Sequence, residues 1–221
     1  MFELKNLHPE FGVEILGIDL SMALEPNDFA QIELALERSS LVLFRNQVFD
    51  DDSQVAFSRR FGELEYDHVA YGRERKIRYI GYIGNVDEHG KQRGASHEQV
   101  VFSTGNEMWH SDSSFRPVPT RFSISYAYEV TPDGGELEFV STRSAYARLA
   151  DETKEKIENL IAIHDYVYSR SKVGPNAVTP SHAASLPPVP QRLVRQNPVT
   201  GEKNYYVGSH ARSIEDWRDE D

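Results

Sequence analysis

Cysteine is absent from the 221 residues, which removes disulfides, thiolate metal ligands and thiol nucleophiles together. Any metal held by this chain must then be held by histidine and carboxylate. Basic residues are the minority, 24 Lys and Arg against 35 Asp and Glu, for a net charge of −11. Such a surface repels phosphate-rich partners, so neither nucleic acid nor an anionic membrane is expected. No window approaches the ~18 apolar residues of a membrane span, and the start, MFELKNLHPEFG, lacks the basic and apolar run of a secretory signal. A cytoplasmic location is the resulting expectation. What is present, 39% hydrophobic and 11% aromatic residues, supports a real core, and the length suits a single domain over 1–221.

Pro26-Asn27-Asp28 precedes Phe29, Ile32 and Leu36 at helical spacing, which predicts a helix at 27–38. The apolar run 41–44 reads as a buried strand, and Asp51-Asp52-Ser53 as the cap of a second helix stopped near Gly62. Tyr and Ile at 78–83 predict a strand. The Gly-rich, aperiodic stretch 84–105 predicts an active-site loop. Residues 120–130 alternate Phe122, Ile124, Tyr126, Tyr128 and Val130 with smaller or polar residues, the pattern of a half-buried strand; a turn at 132–135 and a strand over 137–140 follow. Further on, the spacing predicts a helix at 143–162. Prolines over 165–192 suggest a long loop, and the segments flanking 198–203 a hairpin.

The chain holds one His-x-Asp, in NEMWHSDSSF. On a strand, residues two apart share a face, so His110 and Asp112 would project together, with Trp109 turned away into the core. An imidazole beside a carboxylate suits a divalent first-row metal, and one further His would complete a two-His-one-carboxylate triad. A hydrogen-bonded polar pair is the alternative for these two residues alone.

The context of that motif adds a resemblance. WHSDSSF, PDGGELEF and SAYARL, the upstream LVLFRNQVFDDDSQVAFSRRFGELE and the downstream LPPVPQRLVRQNPVTGEKNYYVGSHA together resemble the TauD/TfdA family of iron(II)- and 2-oxoglutarate-dependent dioxygenases, in particular its 2,4-dichlorophenoxyacetate dioxygenase branch. The resemblance covers nearly the whole chain. It implies a mainly β fold with flanking helices, a double-stranded β-helix (jelly roll, cupin-like). It implies Fe(II) on His110 and Asp112, with 2-oxoglutarate and O2 as cosubstrates. The reaction implied is hydroxylation of a small anionic organic substrate, of herbicide, sulfonate or related carboxylate type, with release of succinate and CO2. His68 and Tyr71 fall where substrate contacts are implied, and Asn106, just before the motif, is a candidate to line the pocket, with a turn residue as the alternative.

The sequence departs from the family pattern in two places. Leu137 stands where the family has a Thr that binds 2-oxoglutarate. A Leu there forgoes a charge-assisted hydrogen bond worth about 1.5–3 kcal/mol. The distal metal His and the cosubstrate Arg of the family lie beyond the GSHA region, and no residue here matches them. His89, His97, His164, His182 and His210 are the internal substitutes on offer. The expectation is a chain lacking the last jelly-roll strands, with exposed edges that make self-association plausible. Two alternatives stay open: a catalytically inactive relative, and a cupin-like metal hydrolase.

Overall fold

The computed structural model describes residues 2–66, 79–87, 89–174 and 177–218. The backbone clusters into two compact units, the first formed by residues 1–64, 124–149 and 196–204, the second by 65–123, 150–195 and 205–221.

The first unit is built on a three-stranded sheet. Strand β1 (Glu3–Asn6) runs antiparallel to β2 (Val13–Leu16), which pairs in parallel with β3 (Val42–Leu43). Between β2 and β3 lies helix α1 (Pro26–Ser39), opened by a proline in its first turn, where no intrahelical N–H is needed, and closed by Ser40 at φ 64°. Its inward face supplies Ile32 and Ala35 to a core with Val13, Ile15, Leu20 and Phe57. Phe57 comes from α2 (Asp51–Arg59) and meets Phe29, Phe44, Phe49 and Phe61 edge-on, the arrangement the ring quadrupoles favour. Asp50, one residue before the expected cap, accepts from Ser53 N at 2.7 Å.

Residues 120–140 form no strand. The alternation is visible over 121–126, where even positions are half-buried and odd ones exposed. No described segment supplies the ladder of backbone hydrogen bonds that would make it a strand. Residues 79–83 are likewise not a strand, and the remainder of that expectation lies outside the described residues.

In the second unit, α3 (Glu98–Ser103) and a 3-10 turn (Thr104–Glu107) occupy the end of the segment read as a loop. The helix expected at 143–162 is broken. Helix α4 (Thr142–Ala147) belongs to the first unit, while α5 (Asp151–Ile157) and strand β4 (Ile161–His164) belong to the second. β4 is central in a sheet ordered β5-β4-β8, flanked antiparallel by β5 (Val189–Arg192) and β8 (Ala211–Ile214). The proline-rich region carries α6 (Tyr166–Ser171) and α7 (Pro180–Ser185) as well as β5. Pro180 begins α7 behind the cap Thr179, and Pro190 sits on an edge strand; both are positions where a missing N–H costs nothing. Strands β6 (Val194–Gln196) and β7 (Lys203–Tyr205) form the expected hairpin. Phe115, Tyr166 and Leu186 make the second unit's buried cluster, with Phe102 and Val178 against it. Among the described residues no helix is long and apolar enough to cross a membrane.

Candidate metal and ligand site

The His-x-Asp lies just after the 3-10 turn. It is not on a strand: residues 109–111 have no regular secondary structure, and the chain turns at 112–115 with Ser113 at φ 54°. The turn still brings the two side chains together, with His110 Nε2 3.4 Å from Asp112 Oδ1. Trp109 is 56% exposed and not in the core. Its carbonyl accepts from Ser209 N at 2.8 Å, which ties the segment to the GSHA turn. Gly208 makes the approach possible, since a Cβ there would lie 3.0 Å from His110 Cα.

The tautomer of His110 follows from its neighbours. Nδ1 lies 2.6 Å from the Met108 carbonyl, which can only accept, so Nδ1 carries a proton and donates. In the neutral ring, Nε2 then presents a lone pair to the carboxylate. Two acceptors converge on a space that a cation, proton or metal, must fill. The Asp112 contact accordingly raises the His110 pKa against the opposing effect of burial, with the Met108 carbonyl adding to the rise. The Asp112 pKa is lowered, first by His110 and then by Ser123. This donor set, nitrogen plus carboxylate oxygen with the imidazole fixed by an outer hydrogen bond, fits a divalent metal ion.

Among the described histidines, His210 has its ring centroid 6.1 Å from that of His110. It is buried, and burial is the first cause lowering its pKa to about 3. Ser169 Oγ gives its proton to the Tyr166 carbonyl and so accepts from His210 Nδ1 at 2.8 Å. His164 is 1% exposed in β4, bonded through Nδ1 to Ser114 Oγ at 2.9 Å and stacked on Tyr206. His97 caps α3, accepting from Gln99 N. His182 packs its ring against Tyr166 from α7, and His89 lies in the exposed loop. Among the described residues no group of three or more His, Asp or Glu is close enough to hold a metal ion.

Asn106 lies on the 3-10 turn, and its Oδ1 accepts from Arg170 Nη2 at 2.9 Å. Leu137 belongs to the first unit and is 74% exposed. His68 and Tyr71 lie outside the described residues. Arg170 itself was missed by the sequence reading, because the α6 segment YVYSRS passed for loop; a cation two positions before Lys172 looks like ordinary surface charge.

Residues 3–221 match the family described as taurine catabolism dioxygenase TauD, TfdA family. The chain is 34% identical over 212 residues to an α-ketoglutarate-dependent 2,4-dichlorophenoxyacetate dioxygenase of Burkholderia sp. (strain RASC), an alignment spanning 95% of this chain and 71% of the relative. It is 31% identical over 221 residues to an (S)-phenoxypropionate/α-ketoglutarate dioxygenase of Sphingobium herbicidovorans, spanning 96% and 72%. Among solved structures, AAD-2 in complex with Mn(II) and N-oxalylglycine superposes with a TM-score of 0.88 at 34% identity, over 99% of this chain and 75% of that one. A taurine dioxygenase from Burkholderia xenovorans superposes at 0.65 with 26% identity, over 99% and 68%. The chain belongs to the TauD/TfdA family and shares its fold of sheets with flanking helices. By family it is an enzyme, a 2-oxoglutarate-dependent dioxygenase that uses a metal.

Proposed function

We propose that this protein binds iron(II) through His110 Nε2 and Asp112, takes 2-oxoglutarate and O2 as cosubstrates, and hydroxylates a small organic anion. The observation that carries the reading is the pair of lone pairs converging from His110 and Asp112, with the imidazole tautomer set by the Met108 carbonyl. When bound, the metal supplies oxygen activation and a chelation point for the 2-oxo acid. The chain's own residues orient the two ligands and shield one side of the site with the buried rings of Phe115, Tyr166 and His210. Relatives named for 2,4-dichlorophenoxyacetate, (S)-phenoxypropionate and sulfate esters favour an aryloxy acid, a sulfate ester or a sulfonate as the substrate. The same likeness supports a double-stranded β-helix as the fold.

A second reading is an inactive relative that binds small acids without turning them over. Two observations favour it: no third metal-ligating side chain stands beside His110 and Asp112 among the described residues, and Leu137 offers no donor to a cosubstrate. An anaerobic titration with iron(II) and 2-oxoglutarate separates the two. The oxygenase reading expects the visible charge-transfer band of the chelated 2-oxo acid in the wild type and its loss in His110→Ala. A folded wild type that never develops the band removes that reading and leaves the inactive relative.

A further inference from the structure

Arg170 is 8% exposed, yet no carboxylate pairs with it among the described residues. Two of its five N–H donors are spent on neutral acceptors, Nη1 on the Phe102 carbonyl at 3.2 Å and Nη2 on Asn106 Oδ1 at 2.9 Å. Nε–H is buried and meets no acceptor. Aromatic faces hold the cation in place, the Phe102 ring at 4.6 Å and the Tyr166 ring at 5.5 Å. The backbone is cut away to admit it: a Cβ at Gly105 would lie 2.2 Å from Nη1. A buried guanidinium with no counter-charge is costly, and a fold that builds a dedicated seat for one leaves the charge available to a ligand. The seat also adjoins the metal ligands. Asn106, which accepts from Arg170, precedes His110 by four residues, and Ser169 beside Arg170 holds His210, whose ring centroid lies 6.1 Å from that of His110.

We infer that Arg170, steadied by Asn106 and Gly105, is the anchor for the acid group of a small organic carboxylate or sulfonate bound beside His110 and Asp112. This deepens the proposed function and rests on it for the identity of the site. A guanidinium presents donors in a planar fork that matches a carboxylate, and in a buried setting such bonds are strong and selective against neutral isosteres. The acid group has two possible sources, the organic substrate or the far carboxylate of 2-oxoglutarate, and the chemistry at Arg170 is the same for both.

The test needs no turnover and no metal. The Arg170 15Nε–1Hε resonance, assigned by its loss in Arg170→Lys, is followed while phenoxyacetate or phenoxyacetamide is titrated into the wild-type chain. The expected result is a saturable shift with phenoxyacetate and an affinity for the amide at least tenfold weaker. In Arg170→Met the preference for the acid should vanish; in Arg170→Lys part of it should survive. A resonance unmoved at saturating phenoxyacetate, or an acid preference intact in folded Arg170→Met, overturns the assignment. If Arg170→Met does not fold, the wild-type resonance decides alone. Repeating the titration with 2-oxoglutarate identifies the source: competition with phenoxyacetate assigns the subsite to the cosubstrate, and independent binding assigns it to the substrate. A shifted resonance in a protein that never forms the iron charge-transfer band would sink the oxygenase reading and leave the anion subsite standing. The converse pair of results does the opposite.

Discussion

At the scale of single residues, the second unit keeps two imidazoles dry. His164 is pushed to about 4 and His210 to about 3, each chiefly by burial. Both are neutral in the folded protein and titrate near 6.5 once unfolded. Below that value the unfolded chain binds protons that the folded chain does not, so stability falls as pH drops and rises as pH increases. For His164 the loss runs from the unfolded pKa down to about 4, and amounts to about 2 kcal/mol between roughly pH 7.5 and pH 5. Urea unfolding at the two pH values should show this slope in the wild type and a shallower one in His164→Gln. His210 sustains part of the slope in both proteins. An unchanged slope would mean that His164 is not held neutral in the fold.

At the scale of elements, capping explains both what was readable in the sequence and what was not. α1 was legible because its apolar spacing and Pro26 agree, and β6–β7 because turn residues separate the apolar stretches Leu193-Val194 and Tyr205-Tyr206-Val207. The segment 143–162 read as one helix since charged and apolar residues keep a helical period through Ala150, where the chain in fact turns out to φ −60° and ψ 147°. The four-residue β4 is too short to announce itself within that period. In 165–192 the prolines masked helix starts and an edge strand, positions where proline is tolerated. Of the candidate site, His110 and Asp112 were legible as a spaced pair, but Arg170 was not: what sets it apart is burial without a counter-charge, which no local pattern encodes. The cap at Ala150 is also where the structure can be improved. α5 begins there with no side-chain hydrogen bond to its first turn. Ala150→Ser supplies an acceptor for those free N–H groups and should stabilise the protein by about 0.5–1 kcal/mol. A thermal melt of the wild type and Ala150→Ser checks this, and an unchanged Tm would mean that the serine does not cap α5.

At the scale of the molecule, the groups assembled around His110 come from three separate stretches of one unit. The 3-10 turn and the bend after it supply Asn106, His110 and Asp112; α6 supplies Ser169 and Arg170; the turn before β8 supplies His210. None of these stretches meets the others in an unfolded chain. A ligand that needs them together therefore binds the folded state alone and stabilises it by mass action. Mn(II), the ion bound in the solved AAD-2 complex, is a redox-quiet probe of this linkage. At a free concentration a hundredfold above its Kd, one bound ion contributes about 2.7 kcal/mol, which in a chain of this size raises Tm by roughly 5–10 °C. N-Oxalylglycine added with the metal should raise it further, because chelation tightens the ion. In His110→Ala both increments should disappear while the melting curve without metal stays close to wild type, the side chain being partly open to solvent. A His110→Ala protein that still gains the full increment would place the ion elsewhere. A wild type that gains nothing would mean that His110 and Asp112 share only a proton.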